Sequence, residues 1–74
     1  MMDSLDLHNT RHDEVPLKME HFIYPHLQRG TKEVTIITGN STEMKRVVGN
    51  VLNDYGMTYK EVWGNNGALS VSLK

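Results

Sequence analysis

Two segments, one near each end of the sequence, alternate apolar and polar residues, and this alternation constrains the fold more than any other feature. Residues 4–8 read SLDLH, which places Asp6 and His8 on the face opposite to the two leucines. Residues 68–73 read ALSVSL and alternate in the same way. Such alternation is typical of a strand buried on one side, whereas strands covered on both faces are apolar throughout. We therefore expect a sheet whose helices all pack on one face.

The first helix is predicted from about Glu14 to about Gln28. Its apolar residues recur at helical spacing and should face the sheet: Val15, Met19, Phe22, Ile23 and Leu27. Asp13 is the predicted N-cap, and Gly30 is the predicted C-terminal stop. Pro25 lies inside this segment and is expected to kink the last turn or to end the regular helix early.

A second strand and a second helix follow. Residues 33–38, EVTIIT, are rich in β-branched side chains and predict a strand. Ser41 or Thr42 should cap the next helix, which Gly56 ends. The apolar stripe of this helix is the most regular in the sequence and consists of Met44, Val47, Val48, Val51, Leu52 and Tyr55.

Two closing strands are predicted over residues 57–63 and 68–73, joined by the turn GNNG at 64–67. The order is then strand, helix, strand, helix, strand, strand. Because a helix connects the first two strands, they should be parallel, whereas the last two should form a hairpin. The sequence therefore predicts the α/β class: a two-layer sandwich in which two helices cover one face of a mixed four-stranded sheet, forming a single domain over residues 1–74.

Composition and charge exclude several classes of protein. The chain contains no cysteine, which excludes disulfides and thiolate metal sites. Its longest apolar stretches are three or four residues, so we expect no signal peptide, no membrane span, no membrane partner and a cytoplasmic location. The formal net charge of −1 argues against a broadly basic surface. Any contact with nucleic acid would therefore have to come from a local patch.

Three short segments, in a fixed order, resemble the Smr (small MutS-related) domain family. They are LDLH at 5–8, TGNS at 38–41 and GNNGALSVSL at 64–73, so that the resemblance covers nearly the whole chain. Two positions depart from the family pattern, because Asn9 and Ser41 stand where glycines are usual. The resemblance implies nucleic-acid binding and, in several members, endonucleolytic cleavage of DNA or RNA, whereas other members only bind.

Asp6 and His8 are the candidate catalytic residues. Cleavage of a phosphodiester bond needs one group that activates the attacking oxygen and another that protonates the leaving oxygen. Asp6 could be the base, or it could hold Mg²⁺ or another divalent cation, and His8 could be acid, base or phosphate contact. The structural alternative is that the two side chains only hold the following turn through hydrogen bonds to the backbone.

The segment from Thr38 to Ser41 should precede a helix N-terminus, where free N–H groups and the helix dipole favour an anion. Lys45 and Arg46, one turn further on, could add positive charge. The alternative is an ordinary capped turn followed by two solvated cations. The complete set of candidate residues for nucleic-acid or phosphate binding is Arg11, Thr38, Gly39, Asn40, Ser41, Lys45, Arg46, Gly64, Asn65, Asn66 and Gly67.

Aromatic and apolar residues outside these motifs suggest further contacts. Trp63 could stack on a base or belong to the core. Leu17 and Tyr24 lie seven residues apart, roughly opposite the core stripe of the first helix, and could form a weak self-association patch or meet a larger protein partner. Three functions stay open: an endonuclease, a nucleic-acid-binding module without catalysis, and a protein-interaction adaptor with the same fold.

Overall fold

Strands and helices follow one another along the chain in the predicted order. The computed structural model describes residues 3–62 and 64–73. Its elements are β1 Ser4–Asp6, α1 Val15–Arg29, β2 Glu33–Ile37, α2 Thr42–Asp54, β3 Thr58–Val62 and β4 Asn65–Ser72, with a short 3₁₀ helix at His12–Glu14 before α1. The predicted α/β class is therefore confirmed.

The four strands form one mixed sheet in the order β1-β2-β4-β3. Strand β1 is parallel to β2, with Leu5 opposite Ile36. Strand β4 is antiparallel to both of its neighbours, with Leu69 opposite Ile36 in β2 and opposite Glu61 in β3. The predicted parallel pair and closing hairpin are thus both present, and the strand that comes last along the chain occupies an interior place in the sheet.

The core lies between the sheet and the two helices. In the interior strands, side chains such as Ile36 and Val71 are fully buried. Thr35 and Ser70, which precede them along the two strands, are only partly buried. The helices contribute to the same cluster, for which the buried apolar residues are Leu7, Val15, Met19, Ile23, Val34, Ile36, Met44, Val48, Leu52, Leu69, Val71 and Leu73. This is the covering of one face that the alternating strands predicted.

Helix α1 spans 15 residues, as many as predicted, and it begins and ends one residue later than predicted. It continues through Pro25 to Arg29 and ends at Gly30, whose φ of 77° provides the left-handed C-cap. The expectation that Pro25 ends the regular helix early was wrong, whereas a kink in the last turn stays a prediction. A proline removes the hydrogen bond to the carbonyl of residue 21, but both Pro25 and His21 are exposed, so water can reach that carbonyl.

Some details of the helix predictions were wrong as well. Asp13 is not the N-cap of α1, because it lies inside the 3₁₀ helix, and Glu14 precedes α1 without a side-chain cap. Leu27 and Tyr55 are each 42% exposed and do not belong to the core. The buried position near the end of α1 is occupied by His26 instead, since the face that meets the sheet runs through Val15, Met19, Ile23 and His26.

The turn between β3 and β4 is tighter than predicted. Residues 65–67 were assigned to the turn, but β4 begins at Asn65, which is already paired with Val62. Gly64 supplies a positive φ of 79°, which is typical of a tight hairpin turn. A register shift between Glu61 and Val62 accommodates the early start of β4.

Candidate active site at one end of the sheet

The three segments that resemble the Smr motifs lie together at one end of the sheet. Asp6 is opposite Ile37 in β2, and Ile37 is opposite Ala68 in β4, so the loops that flank these residues meet. The carbonyl of Gly67 accepts hydrogen bonds from the backbone N–H groups of Thr38, at 2.8 Å, and Gly39, at 3.0 Å. The candidate residues of the three loops therefore share one surface region.

The side chains of Asp6 and His8 are in direct contact. Oδ1 of Asp6 lies 2.5 Å from Nδ1 of His8 and also accepts the backbone N–H of His8 at 3.0 Å. These two hydrogen bonds, first the side-chain one and then the backbone one, lower the pKa of the Asp6 carboxyl below its usual 3.8. Both side chains are about half exposed, at 53% and 50%. Asp6 is consequently ionised over a wider pH range than an ordinary aspartate, in a position that solutes can reach.

The second ring nitrogen of His8 is held by Asn9, which the sequence had not marked as a site residue. Nδ2 of Asn9 lies 3.0 Å from Nε2 of His8. With the carboxylate of Asp6 accepting the Nδ1–H group, Nε2 is the nitrogen that accepts a proton when His8 is neutral. The imidazole is thus oriented from both sides, and the amide of Asn9 occupies Nε2.

Gly39 allows the second loop to pack against the first. Its φ is 69°, and a Cβ placed on it would lie 3.1 Å from Cβ of His8. Any larger residue would therefore combine an unfavourable backbone conformation with a contact that pushes on the candidate catalytic histidine. Asn9, which replaces a glycine usual in the family, causes no such strain, because no non-glycine residue has a positive φ in the ranges 3–62 and 64–73.

Thr38 and Ser41 hold the second loop in place. Thr38 is fully buried, and its hydroxyl donates to the carbonyl of Gly39 at 2.9 Å and, at 3.4 Å, to that of Gly67. Oγ of Ser41 accepts the N–H of Met44 at 3.1 Å, so Ser41, rather than Thr42, is the N-cap of α2. Asn40, between them, is exposed. Of the polar side chains in this loop, those of Asn40 and Ser41 are exposed to an approaching ligand.

Comparison with known protein families agrees with this arrangement. The family model described as the Smr domain matches residues 5–74. This chain belongs to the Smr domain family. No curated protein and no solved structure matches the chain in the corresponding searches. The matched range contains all three of the converging loops, so the candidate site lies within the segments that the family model spans.

Each candidate phosphate-binding cation of this Smr domain is paired with a carboxylate. Arg11 lies 3.3 Å from Asp13, and Lys45 lies 3.5 Å from Glu61. Arg46 pairs with Glu43, one turn earlier in α2. The spacing of Glu43 and Arg46 is a helical i,i+3 pair that the sequence alone could have indicated. The pairs of Arg11 and Arg46 are exposed and contribute little stability, so a phosphate could displace their carboxylates, whereas the side chain of Lys45 is only 23% exposed. All three carboxylates reduce the local positive potential.

The closing hairpin contributes backbone groups to the site. The carbonyl of Gly67 in β4 accepts the backbone N–H groups of Thr38 and Gly39 in the second loop, and Gly64 lies in the turn. Asn65 and Asn66 belong to β4 through their backbone. Trp63, considered for base stacking or for the core, lies outside the described residues.

The donor set for a metal ion is small in this Smr domain. In the part of the chain that the structure describes, no group of three or more His, Cys, Asp or Glu residues could hold a metal ion. At Asp6, Oδ1 already accepts two hydrogen bonds, which leaves Oδ2 as the available oxygen. One oxygen does not fit a dedicated cation site. A divalent cation at Asp6 stays a prediction.

A separate question is whether any helix could span a membrane. Among the described residues, no helix is both long enough and apolar enough to cross a membrane.

Proposed function

We propose that this Smr domain is an endonuclease that cleaves phosphodiester bonds of RNA or DNA, with His8 as proton acceptor and Asp6 as the residue that orients it. The observation that carries the proposal is the contact at 2.5 Å between Oδ1 of Asp6 and Nδ1 of His8 on an exposed surface. A carboxylate on one imidazole nitrogen fixes the tautomer and stabilises the imidazolium that forms when the other nitrogen takes a proton.

The chemistry follows from this orientation. The attacking oxygen, from water or from a ribose 2′-hydroxyl, forms a new bond to phosphorus and transfers its proton to Nε2 of His8. The bond from phosphorus to the leaving oxygen breaks, and that oxygen takes a proton from solvent. Asn9 now occupies Nε2, so its amide must move aside as the substrate enters. General base assistance of this kind contributes about 10²–10⁴-fold to the rate.

Substrate binding would use the two other loops and the start of α2. The exposed loop residues Asn40 and Ser41 lie at a helix N-terminus, where a phosphate is favoured. Lys45 and Arg46 would exchange their carboxylate partners for phosphate oxygens. Because these contacts are electrostatic, affinity should fall steeply with added salt.

A second candidate function is nucleic-acid binding without cleavage. Two observations favour it: the amide of Asn9 covers the nitrogen that would act as base, and carboxylates compete with phosphate for all three candidate cations. A module of this kind would bind through the same surface but leave the phosphodiester bonds intact. An adaptor that binds only protein would show no affinity for nucleic acid above a weak background.

The test is a cleavage assay on three labelled substrates: single-stranded RNA, a stem-loop RNA and supercoiled DNA, each with magnesium and with a chelator. We expect cleavage by the wild type and its loss in Asp6→Ala, with binding retained. Asp54→Ala removes an exposed carboxylate at the other end of α2 and should cut normally.

Cleavage by Asp6→Ala at the wild-type rate would refute the site assignment. Binding that weakens with salt, without cleavage of any substrate, would establish the second candidate instead. A difference between magnesium and chelator would show whether a divalent cation takes part.

A further inference from the structure

An apolar stripe on α1 stays exposed on the side that does not meet the sheet. Leu17 is 58% exposed, Tyr24 is 59% exposed and Leu27 is 42% exposed, and Glu20 lies between them along the helix. The spacing of 17, 20, 24 and 27 places these four side chains on one side of a helix. The stripe therefore adds Glu20 and Leu27 to the predicted pair of Leu17 and Tyr24, and Leu27 lengthens it by about one turn.

A groove beside this stripe leads from α1 to the end of α2. It has a volume of about 330 Å³ and is lined by Glu20, Ile23, Tyr24, Leu27, Tyr55 and Met57. Glu20 lines this groove, and burial, followed by the charges of Glu20 and Asp54, raises the pKa of Tyr55. Together, Leu17, Tyr24, Leu27 and Tyr55 expose on the order of 400 Å² of mostly apolar side chain, within the range at which a surface patch often has a function.

The order of residues along the stripe is symmetric. Positions 17 and 27 lie equally far from position 22, and so do positions 20 and 24. If two copies of α1 pack antiparallel about a two-fold axis at that level, Leu17 of each copy meets Leu27 of the other. Glu20 of each copy then meets Tyr24 of the other, where the carboxylate can accept a hydrogen bond from the phenol. A two-fold interface requires this kind of self-complementarity, because the same patch serves both sides.

We propose that this face of α1 is an interface between two copies of this chain, with the helices antiparallel and crossing at the level of residue 22. The side chain of Leu17 from the second copy, which stands against Leu27, enters the groove beside Tyr55. The arrangement places no carboxylate against another, since Glu20 faces a hydroxyl. A patch of this size in each copy gives roughly 800 Å² in total, below the about 1,200 Å² at which stable interfaces begin, so the dimer is weak and depends on concentration.

The candidate active site lies on a different part of the molecule. His8 and Gly39 belong to the loops at one end of the sheet, whereas none of the residues in the stripe belongs to those loops. Dimer formation therefore does not rest on the proposed nuclease activity, and either proposal can fail without the other.

The test uses two variants that are each defective alone. Leu17→Glu and Leu27→Lys each place a charge against a leucine of the second copy, so neither should self-associate. When the two variants are mixed, one contact of the two-fold pair joins the introduced carboxylate to the introduced ammonium group, and the other joins two native leucines. Mixing should restore the dimer. Sedimentation velocity from roughly 10 µM to 1 mM would follow this association.

Controls separate association from folding. Lys18→Glu reverses a charge on the other side of α1, away from the stripe, and should dimerise like the wild type. Because both leucines are exposed, circular dichroism of each single variant should match that of the wild type. Concentration-dependent NMR shifts of the wild type at Tyr24 and Tyr55 give a readout that needs no variant.

Wild-type protein that stays monomeric up to the highest concentration would overturn the proposal. So would a mixture of the two leucine variants that stays as monomeric as each variant alone, because that result excludes the antiparallel register.

Discussion

Two histidines of this Smr domain each contact an aspartate, near the two ends of β1, but they differ in burial. Nδ1 of His8 lies 2.5 Å from Oδ1 of Asp6, and the ring is about half exposed. Nε2 of His26 lies 3.1 Å from Oδ2 of Asp3, and that ring is only 5% exposed. In both cases the second ring nitrogen also has a partner, which is Asn9 for His8 and Thr31, at 3.0 Å, for His26.

The buried ring of His26 and the partly exposed carboxylate of Asp3 together link two elements of the fold. His26 lies near the end of α1, and Asp3 precedes β1, where its carbonyl accepts the N–H of Thr35. The ring also packs edge-on against Phe22, with ring centroids 4.9 Å apart. A solute cannot reach this imidazole, whereas it can reach that of His8. The same pair of residue types therefore serves packing at one end of β1 and is available for chemistry at the other, and exposure decides which.

The largest expected effect comes from removing each histidine in turn. His26→Ala leaves a cavity and takes hydrogen-bonding partners from Asp3 and Thr31, so it should lower the free energy of unfolding by about 3 kcal/mol. His8→Ala should change the free energy of unfolding little but reduce cleavage by at least about 10²-fold. Urea unfolding, combined with cleavage rates per folded molecule, measures both. Equal losses of stability in the two variants would contradict the distinction between His26 as a packing residue and His8 as a candidate catalytic residue.

A smaller effect is expected at Gly39, where the second loop packs against His8 of the Asp6–His8 pair. Gly39→Ala should cost about 1–2 kcal/mol for its positive φ, and the added methyl group should displace His8 and reduce cleavage. Gly56→Ala is the matched control, because Gly56 has a φ of 74° and no atom within 4 Å of a Cβ there.

The two glycine variants should lose similar stability in thermal unfolding, and only Gly39→Ala should lose activity beyond that loss. If both variants cut as well as the wild type when folded, the contact between Gly39 and His8 does not position the histidine.

The smallest effect is the dependence of stability on pH at Asp6. Hydrogen bonds from His8 lower the pKa of this carboxyl in the folded state, so its stabilising contribution is complete above the usual value of 3.8. It is lost as the pH falls through the lowered value, where the carboxyl is protonated. The difference in unfolding free energy between the wild type and Asp6→Asn should therefore shrink at pH values well below 3.8. A difference that is the same at neutral pH and in acid would show that the contact does not favour the ionised form.

Local patterns in the sequence were sufficient for the strand and helix order. Alternation in β1 and β4 indicated one covered face, and the stripe of α2 indicated a regular helix, because both patterns depend on neighbours along the chain. The course of α1 through Pro25 was not predictable in this way, since it depends on whether water reaches the free carbonyl. The same holds for His26, which is buried only because Asp3 and Thr31 lie beside it.

The candidate site was predictable in its location but not in its contacts. The motifs at 5–8 and 38–41 indicated which loops matter, and the parallel pairing of the first two strands brings them to one end of the sheet. The partner of Lys45, in contrast, is Glu61, which lies sixteen residues further along the chain and is brought near by the packing of β3 against α2. Pairing of that kind depends on tertiary structure, which spacing along the chain does not reveal.

The interior position of β4 has a consequence for how the chain folds during synthesis. Strand β4 supplies the hydrogen bonds that join β2 to β3, and it is the last of the four strands to be made. Until it leaves the ribosome, the nascent chain can pair only β1 with β2, and the edge of β2 that β4 will cover stays open. The four-stranded sheet therefore cannot be completed gradually from the N-terminus, and the open edge of β2 is exposed to pairing with other chains until residue 72 emerges.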